Sequence, residues 1–465
     1  MTNGSVRVKA RNGPDRRLDA SGAGQVREAG ALALSDPGND HRRRLLAAMV
    51  VAAARHGYAG ATVSRVVELA GVSRATFYEH FRRREDCFRA AYEVRAEAAL
   101  KVVGSAAQSV APAERLGAVI EVLVGELEAD RTVPRLLLVE ALGPPWAIRE
   151  EHEALIQSVD SLVAGFLDEQ LADAPIQLPA TALTAGVADV LTRRALADAP
   201  KDLSALQADL LGWIDAYRVG TGSRPLAQSR WYDLGRFARL VPSREAEGPS
   251  LLPRGKSALP KEDAASVRRQ RILDATARLS SESGFAGLTI AGIAAAARVP
   301  RAAFYAHFDG KQEALRAAQT HALQEAMAAA AAAYASTAPW PTRVWRAIVA
   351  FLTQIAAMPH YARLDLVESY AAGADAIRHR QQNQMVFTVF LEEGYRQNPG
   401  AARLPRVCSE AIAGAIIGLM RRIVIEGRTQ RMLSIAPAAA YTTLAPFIGA
   451  EVACAQVQEW AEGVS

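Results

Sequence analysis

Apolar residues recur along this chain with the spacing of an amphipathic helix. From about residue 41, nearly every segment repeats its apolar positions about every 3.6 residues, whereas alternating strand-like runs are absent from the sequence. The first clear stripe consists of Leu45, Leu46, Met49, Val50 and Ala53. It ends before Gly57, a residue typical of helix C-termini. The pattern predicts an all-α protein whose first helix stops near Gly57.

A second and a third helix follow closely. The second is indicated by apolar residues that share one face, namely Val63, Val66, Val67 and Ala70. Thr62 is placed to cap its N-terminus, and Gly71 permits a sharp turn after it. Ser73 is placed to cap a third, short helix that runs to about Phe81. Two short helices joined by such a turn predict a helix-turn-helix motif.

The whole motif occurs twice. Residues 57–81 align with residues 284–308 without a gap, so each position recurs 227 residues later. Thr289, for example, takes the place of Thr62. An internal repeat with this offset predicts two similar halves, each able to bury its own core, rather than one large fold.

The third helix separates an aromatic face from a polar one. Phe77 and Phe81 lie one turn apart and are expected to face the core together, while Ala75 and Glu79 point away from them. The residues on the flanks are Arg74, Thr76, Tyr78 and Arg82. A small residue lets the helix approach base edges, an arginine can bond a guanine edge, and hydroxyl groups can bond phosphates. The composition of this face predicts contact with DNA.

These features resemble the N-terminal domain of the tetracycline-repressor (TetR) family of bacterial transcriptional regulators. The segments that carry the resemblance are 62–70, 71–81 and 84–86 in the first copy, and 289–308 and 311–313 in the second. The resemblance implies that a helical regulatory and dimerisation domain follows each motif.

The chain is accordingly expected to have six parts. They are a disordered basic arm (1–39), a first helix-turn-helix domain (40–90), a first helical regulatory domain (91–219), a linker (220–265), a second helix-turn-helix domain (266–317) and a second helical regulatory domain (318–465). Glycine and proline mark the linker, although Trp231, Leu234, Phe237 and Leu240 are spaced like one face of a short helix. The arm could contact DNA phosphates or form an ordinary solvated tail.

Helical runs near the end of each half resemble the last two helices through which family members dimerise. They lie at 181–197 and 209–217 in the first half, and at 409–426 and 438–445 in the second. The final run is expected to end at Pro446.

The resemblance also implies roles for single residues. Bases would be contacted by Arg74, Ala75, Tyr78 and Glu79 in the first copy, and by Arg301, Ala302, Tyr305 and Ala306 in the second. Phosphates would be held by Thr62, Thr76, His80 and Arg84 in the first copy, and by Thr289, His307 and Lys311 in the second. The two histidines also fit an interpretation as helix-end residues near the negative end of the helix dipole.

The two copies differ within the third helix. Pro300 replaces Ser73, Ala303 replaces Thr76 and Ala306 replaces Glu79. Proline fits the first turn of a helix, so the fold is expected to survive, but one hydroxyl and one carboxylate are lost. The two motifs are therefore not expected to prefer identical half-sites.

Composition and charge narrow the class of protein. The chain has 465 residues and a formal net charge of +5, which alone is weak evidence for nucleic acid. Basic groups nonetheless flank both motifs, at 42–44, 82–84 and 268–271. The three cysteines lie far apart, so neither a metal site nor a disulfide framework is expected.

Other classes lack support in the sequence. No apolar run is long enough to span a membrane, and no apolar signal core opens the chain, so a cytoplasmic protein is expected. Phosphate loops, nucleophile motifs and metal-ligand spacings are absent from the sequence, which predicts neither an enzyme nor a bound cofactor.

The resemblance implies a double-stranded DNA operator and a small apolar ligand as partners. Aromatic and apolar residues of the regulatory domains could line a ligand pocket or simply form the core. These residues are Trp146, Trp213, Trp340, Trp345, Phe351, Met358, Tyr361, Phe387 and Phe390. The predicted function is a sequence-specific repressor released by its ligand, with both DNA-reading motifs on one chain as an intramolecular pseudo-dimer. Whether the chain also forms homodimers is left open, and the alternative is a non-sensing protein that bridges DNA sites.

Overall fold

The computed structural model describes residues 40–143, 146–169, 178–197, 203–218, 261–398, 401 and 404–463. Within these residues every regular element is a helix, which confirms the predicted all-α class. The predicted basic arm and residues 219–260, which include most of the predicted linker and its Trp231 to Leu240 face, lie outside the described residues.

The first half consists of nine α-helices in the described residues. They are α1 (Asp40–Gly60), α2 (Val63–Ala70), α3 (Arg74–His80), α4 (Arg84–Gln108), α5 (Arg115–Ala129), α6 (Thr132–Leu138), α7 (Trp146–Glu169), α8 (Ala180–Leu196) and α9 (Leu206–Asp215). A 3₁₀ helix at Glu140–Leu142 follows α6.

The second half repeats this order. Its helices are α10 (Lys261–Gly287), α11 (Ile290–Ala296), α12 (Arg301–Tyr305), α13 (Lys311–Tyr334), α14 (Trp340–Ala357), α15 (Pro359–Leu366), α16 (Ala374–Gln384), α17 (Glu392–Gln397), α18 (Val407–Ile425), α19 (Ala436–Ile448) and α20 (Ala450–Gly463). A 3₁₀ helix at Glu368–Ala372 follows α15, as its counterpart follows α6 in the first half.

The end of the second half differs from the prediction. Pro446 does not end α19, which continues to Ile448 and is followed by α20. A proline lacks the N–H that would bond the carbonyl four residues earlier, here that of Thr442. This carbonyl instead accepts a hydrogen bond of 2.7 Å from the Tyr217 hydroxyl of the first half. A tertiary contact thus satisfies the group that the proline leaves unpaired.

Each N-terminal domain is tied to the rest of its half at a glycine. Gly57 interrupts α1 with φ 70° and ψ 163°, and Gly284 interrupts α10 with φ 70° and ψ 166°, a conformation that favours glycine. The Glu140 carboxylate accepts a hydrogen bond of 2.8 Å from the backbone N–H of Tyr58, directly after the first kink. Glu368 lies at the same place in the second half, since a Cβ on Gly284 would come within 3.4 Å of its Oε2. The kinks therefore lie where each motif contacts the helices that follow it in its own half.

The two halves pack closely through α8 and α18. A Cβ on Gly418 would lie 2.1 Å from the Cβ of Ala185, and one on Gly414 would lie 2.5 Å from the Cβ of Asp189. Gly186, in α8, leaves room in the same way for Trp213 and the Ala411 carbonyl. Glycine at the crossing lets the two backbones approach, and the largest hydrophobic cluster extends across both halves.

Ion pairs also join the halves. Arg194 on α8 binds both carboxylate oxygens of Glu410 on α18, at 2.8 and 3.3 Å. Arg149 on α7 similarly binds Glu368, at 3.0 and 3.4 Å. Paired nitrogens and oxygens of this kind give directional as well as electrostatic complementarity.

Candidate nucleic-acid interface

The first helix-turn-helix is held by the caps that the sequence predicts. The Thr62 hydroxyl accepts a hydrogen bond from the backbone N–H of Arg65, and the Ser73 hydroxyl accepts one of 3.0 Å from that of Thr76. Between the helices Gly71 takes the left-handed conformation, with φ 60°. These contacts confirm the predicted starts of α2 and α3, and the turn between them.

The second motif has the same turn geometry, but different residues form the turn. Thr289 caps α11 by accepting from the backbone N–H of Gly292 at 3.1 Å, and Pro300 directly precedes α12. The position of Gly71 is taken by Arg298, whose φ of 54° is unusual for a residue with a side chain. Arg271 Nη2 donates to the Arg298 carbonyl, as Arg44 Nη2 donates to that of Gly71. One arginine of each basic cluster therefore supports the turn.

The third helix of each motif buries one face and exposes the other. Phe77 and Phe304 are fully buried, whereas Tyr78 and Tyr305 are 54% and 48% exposed. The other residues predicted to contact bases are also exposed. They are Arg74, Ala75 and Glu79 in α3, Arg301 and Ala302 in α12, and Ala306 directly after it. All eight residues are thus free of the core, and their contacts with bases stay predictions.

The predicted phosphate contacts fall into two groups, of which the first lies at the helix ends. Thr62 and Thr289 are exposed, and Thr76 is half-buried with its hydroxyl 3.0 Å from that of Ser73. His80 and His307 are half-buried at the ends of their helices. Burial and the nearby guanidinium groups of Arg268 and Arg269 lower the pKa of His307. Contact of these side chains with phosphate stays a prediction.

Arg84 and Lys311 form the second group, and both bind backbone carbonyls of their own domain. Arg84 Nη1 donates to the carbonyls of Tyr58 and Ala59, at 3.3 and 3.2 Å. Lys311 Nζ donates to those of Phe285 and Leu288, at 3.2 and 3.0 Å. Each cation also lies over the ring of the aromatic residue that follows the kink, 4.3 Å from Tyr58 and 4.5 Å from Phe285.

Sequence reasoning missed this bracing of the kink. The sequence contained a signal for it, because both partners recur at the 227-residue offset. The aromatic residue lies at 58 and 285, and the cation at 84 and 311. Contact of Arg84 and Lys311 with phosphate stays a prediction.

The aromatic residues suggested for a ligand pocket have mixed positions. Trp213 and Trp340 are buried in the core. Phe351 and Phe387 line two small cavities of about 30 and 50 Å³ in the second half, the larger of them almost wholly apolar. The side chain of Trp146 lies outside the described residues.

Two negative results concern the described part of the chain. Its histidine, cysteine and acidic side chains form no cluster suited to hold a metal ion. Its helices include none with the length and apolar character that a membrane span requires.

Two capped helix pairs, each exposing one face of a short helix, define a helix-turn-helix protein that binds DNA. The family model for bacterial regulatory proteins of the tetR family matches the chain twice, at residues 45–91 and 272–318. These matches have the same 227-residue offset as the sequence repeat. The chain therefore carries the N-terminal domain of this family of transcriptional regulators twice.

Solved structures give weaker similarities. The fatty acid degradation regulator FadR from Bacillus halodurans is 20% identical over 37% of this chain and 95% of its own, with a TM-score of 0.32. FadR from Bacillus subtilis, solved in complex with stearoyl-CoA, is 20% identical over 37% and 95%, with a TM-score of 0.34. The ketosteroid regulator KstR2 of Mycobacterium tuberculosis is 15% identical over 40% and 97%, with a TM-score of 0.34. Similarities at this level assign neither a ligand nor an operator to this chain. No curated protein matches it.

Proposed function

We propose that this regulator is a repressor whose two DNA-reading motifs work as an intramolecular pseudo-dimer, so that one polypeptide occupies one operator. The observation that carries the proposal is the pairing of unlike residues between the halves. Gly186 and Gly414 occupy corresponding places at the crossing, so Glu410, four residues before Gly414, corresponds to Ala182. Two identical first halves would place Arg194 opposite this alanine, without the ion pair that Glu410 provides. The interface therefore disfavours the pairing of two first halves.

Base reading is assigned to the exposed residues of the third helices. Arg74, Ala75, Tyr78 and Glu79 would read the first half-site, and Arg301, Ala302, Tyr305 and Ala306 the second. In the second motif Arg301 Nη2 lies 3.5 Å from the Tyr305 hydroxyl, one helical turn away, so these two groups act on neighbouring parts of the groove. Thr62, Thr76, His80 and Arg84 would hold phosphates on one side, and Thr289, His307 and Lys311 on the other.

Release by a small apolar ligand is proposed for the regulatory part, which we assign to 91–219 and 318–465, in a cytoplasmic protein. The apolar cavity beside Phe351, Phe387 and Phe390 supports a site in the second half. A volume of about 50 Å³ is smaller than common ligand pockets, so binding would require α14 and α18 to separate. Such a movement would be carried to the kinks through the contacts of Glu140 and Glu368.

The proposal predicts that the purified chain is a monomer that binds one operator. Light scattering should give a mass near the 49.7 kDa of one chain, alone and bound to one DNA duplex after subtraction of the DNA. A stable dimer that carries four motifs would contradict the intramolecular arrangement. Strong binding of all sequences alike, with a steep dependence on salt, would instead favour the DNA-bridging alternative.

The difference between the two motifs predicts an imperfect palindrome. Glu79 can accept a hydrogen bond from a cytosine amino group, whereas Ala306 suits a thymine methyl group. Selection from a random DNA pool should therefore return two arms that differ opposite these residues, with half-sites about one helical turn apart. Glu79→Ala should shift the preference of the first arm toward that of the second, while Glu68→Ala, at an exposed position on α2, should not. A perfect palindrome that Glu79→Ala leaves unchanged would contradict this prediction.

A further inference from the structure

A cavity lies between the two halves in the described part of the chain. It has a volume of about 150 Å³ and is bounded by α7 and α8 of the first half and by α18 of the second. Its walls combine aliphatic with charged side chains, unlike those of the apolar cavity beside Phe351. Because both halves contribute residues, a molecule bound here would touch both.

One carboxylate in this cavity has an unused oxygen. Asp160 on α7 is only 8% exposed. Its Oδ2 accepts a hydrogen bond of 2.8 Å from the Thr181 hydroxyl and one of 3.4 Å from Arg422. Its Oδ1 is buried and makes no hydrogen bond of good geometry with the described residues, although the Thr184 hydroxyl lies close enough to favour the charged carboxylate. A buried acceptor of this kind is costly unless a donor reaches it.

The arginines around Asp160 also form ion pairs with other carboxylates. Arg422, which approaches it, also binds Glu426 through Nε at 3.3 Å. Arg421, the next residue on α18, binds Glu153. At the other end of the cavity Arg380 lies 3.7 Å from Asp189.

Asp160 is consequently poorly neutralised for a buried acid. In the same interface Glu410 is held by two bonds from Arg194, and Asp189 accepts a hydrogen bond of 2.8 Å from Arg193. Burial raises the pKa of Asp160 above its ordinary value, and outweighs the opposing effects of the Thr181 and Thr184 hydroxyls and of Arg422.

The remaining walls suit an aliphatic group. Ile156, Ile417 and Ile425 line the cavity. His152 lines it too, but burial lowers the pKa of His152 to about 3, so the ring supplies no positive charge at neutral pH. The Thr184 hydroxyl, also in the lining, lies beside the Asp160 carboxylate without a hydrogen bond of good geometry.

We propose that this cavity binds a small aliphatic ammonium ion, whose N–H donates to Asp160 Oδ1 and whose alkyl chain packs on Ile156 and Ile417. A volume of about 150 Å³ corresponds to roughly five water molecules, which suits an amine of about six non-hydrogen atoms. The bound ion would join α7 and α8 to α18 and so alter the separation of the two motifs, an effect that rests on the proposed pseudo-dimer.

The test compares three probes of equal length on the full chain: n-pentylamine, n-pentanol and sodium pentanoate. Isothermal titration calorimetry at pH 7.5 should show saturable binding of n-pentylamine and no binding of the other two. Asp160→Asn keeps the size of the side chain but removes its charge, and should weaken amine binding by at least about tenfold. Asp375→Asn is the matched control, since that side chain is 78% exposed on α16, and should leave binding unchanged.

A second variant covers the case in which Asp160→Asn does not fold. Ile156→Trp keeps the carboxylate but fills the cavity, and should abolish binding of n-pentylamine. Undiminished binding in folded Asp160→Asn, binding that survives in folded Ile156→Trp, equal binding of the alcohol or the carboxylate, or no binding of the amine would each overturn the inference. Operator binding by the same preparation without amine is measured in parallel. Its absence would contradict the proposed function, whereas operator binding without an amine response would contradict the cavity site alone.

Discussion

Replacing both Arg74 and Arg301 with alanine should weaken operator binding by between about 30-fold and about 20,000-fold. Loss of one arginine that reads a base costs about 1 to 3 kcal/mol, and the two residues lie in separate motifs, so their effects should add. Both side chains are exposed, and neither phenylalanine core depends on them. Each single variant should also relax the preference at one base of its own half-site. Fluorescence anisotropy on the selected operator and on single-base variants would measure both effects.

Arg406→Ala provides the matched control. This arginine is 70% exposed and lies next to the start of α18, away from both motifs, so operator affinity should not change. Circular dichroism would verify that all variants are folded. Unchanged affinity and unchanged base preference in the folded double variant would contradict the assignment of these faces to the groove.

Reversing one charge in the pair between the halves should have the largest effect on stability. Arg194→Glu would place two carboxylates together where the wild-type side chains are only 13% and 23% exposed. Breaking a pair that is largely buried is expected to lower the free energy of unfolding by about 3 kcal/mol. Glu410→Arg should have a similar effect, and the exchanged pair Arg194→Glu with Glu410→Arg should recover most of the loss. Urea unfolding would measure each value.

The control for this exchange is Arg378→Glu. Arg378 pairs with Asp375 within α16, with exposures of 38% and 78%, so its reversal should cost less than about 1 kcal/mol. If the exchanged pair were no more stable than expected from adding the two single variants, Arg194 and Glu410 would not be coupled. The contact between α8 and α18 would then need another explanation.

Much of each DNA-binding motif could be predicted from the sequence, because local interactions determine it. Thr62 and Ser73 cap their helices through bonds that span three residues. The spacing of Phe77 and Phe81 assigns the buried face of α3, and with it the exposed positions of Arg74 and Tyr78. The 227-residue repeat then assigns the same roles in the second half without further information.

Local reasoning was wrong at Pro446 and incomplete at Arg84, because a distant group contacts each of them. Pro446 was expected to end a helix because it lacks an N–H, but the Tyr217 hydroxyl satisfies the carbonyl that this leaves unpaired. Arg84 was identified from the resemblance as a phosphate ligand, yet its guanidinium group also binds the carbonyls of Tyr58 and Ala59. Nothing in the sequence near residue 84 indicates those carbonyls, which lie 25 and 26 residues earlier.

By itself, then, the sequence determined the helical class, the duplication and the exposed faces of the third helices, since these depend on periodicity and on contacts within a few residues. Tertiary structure alone decided how the halves meet. The approach of α8 to α18 at Gly186 and Gly418 joins residues more than 200 positions apart, and so does the pairing of Arg194 with Glu410. The buried position of Asp160 depends on the same packing. A glycine or an acidic residue can have many roles in a helix. Which role it has depends on the residues that it contacts across the interface.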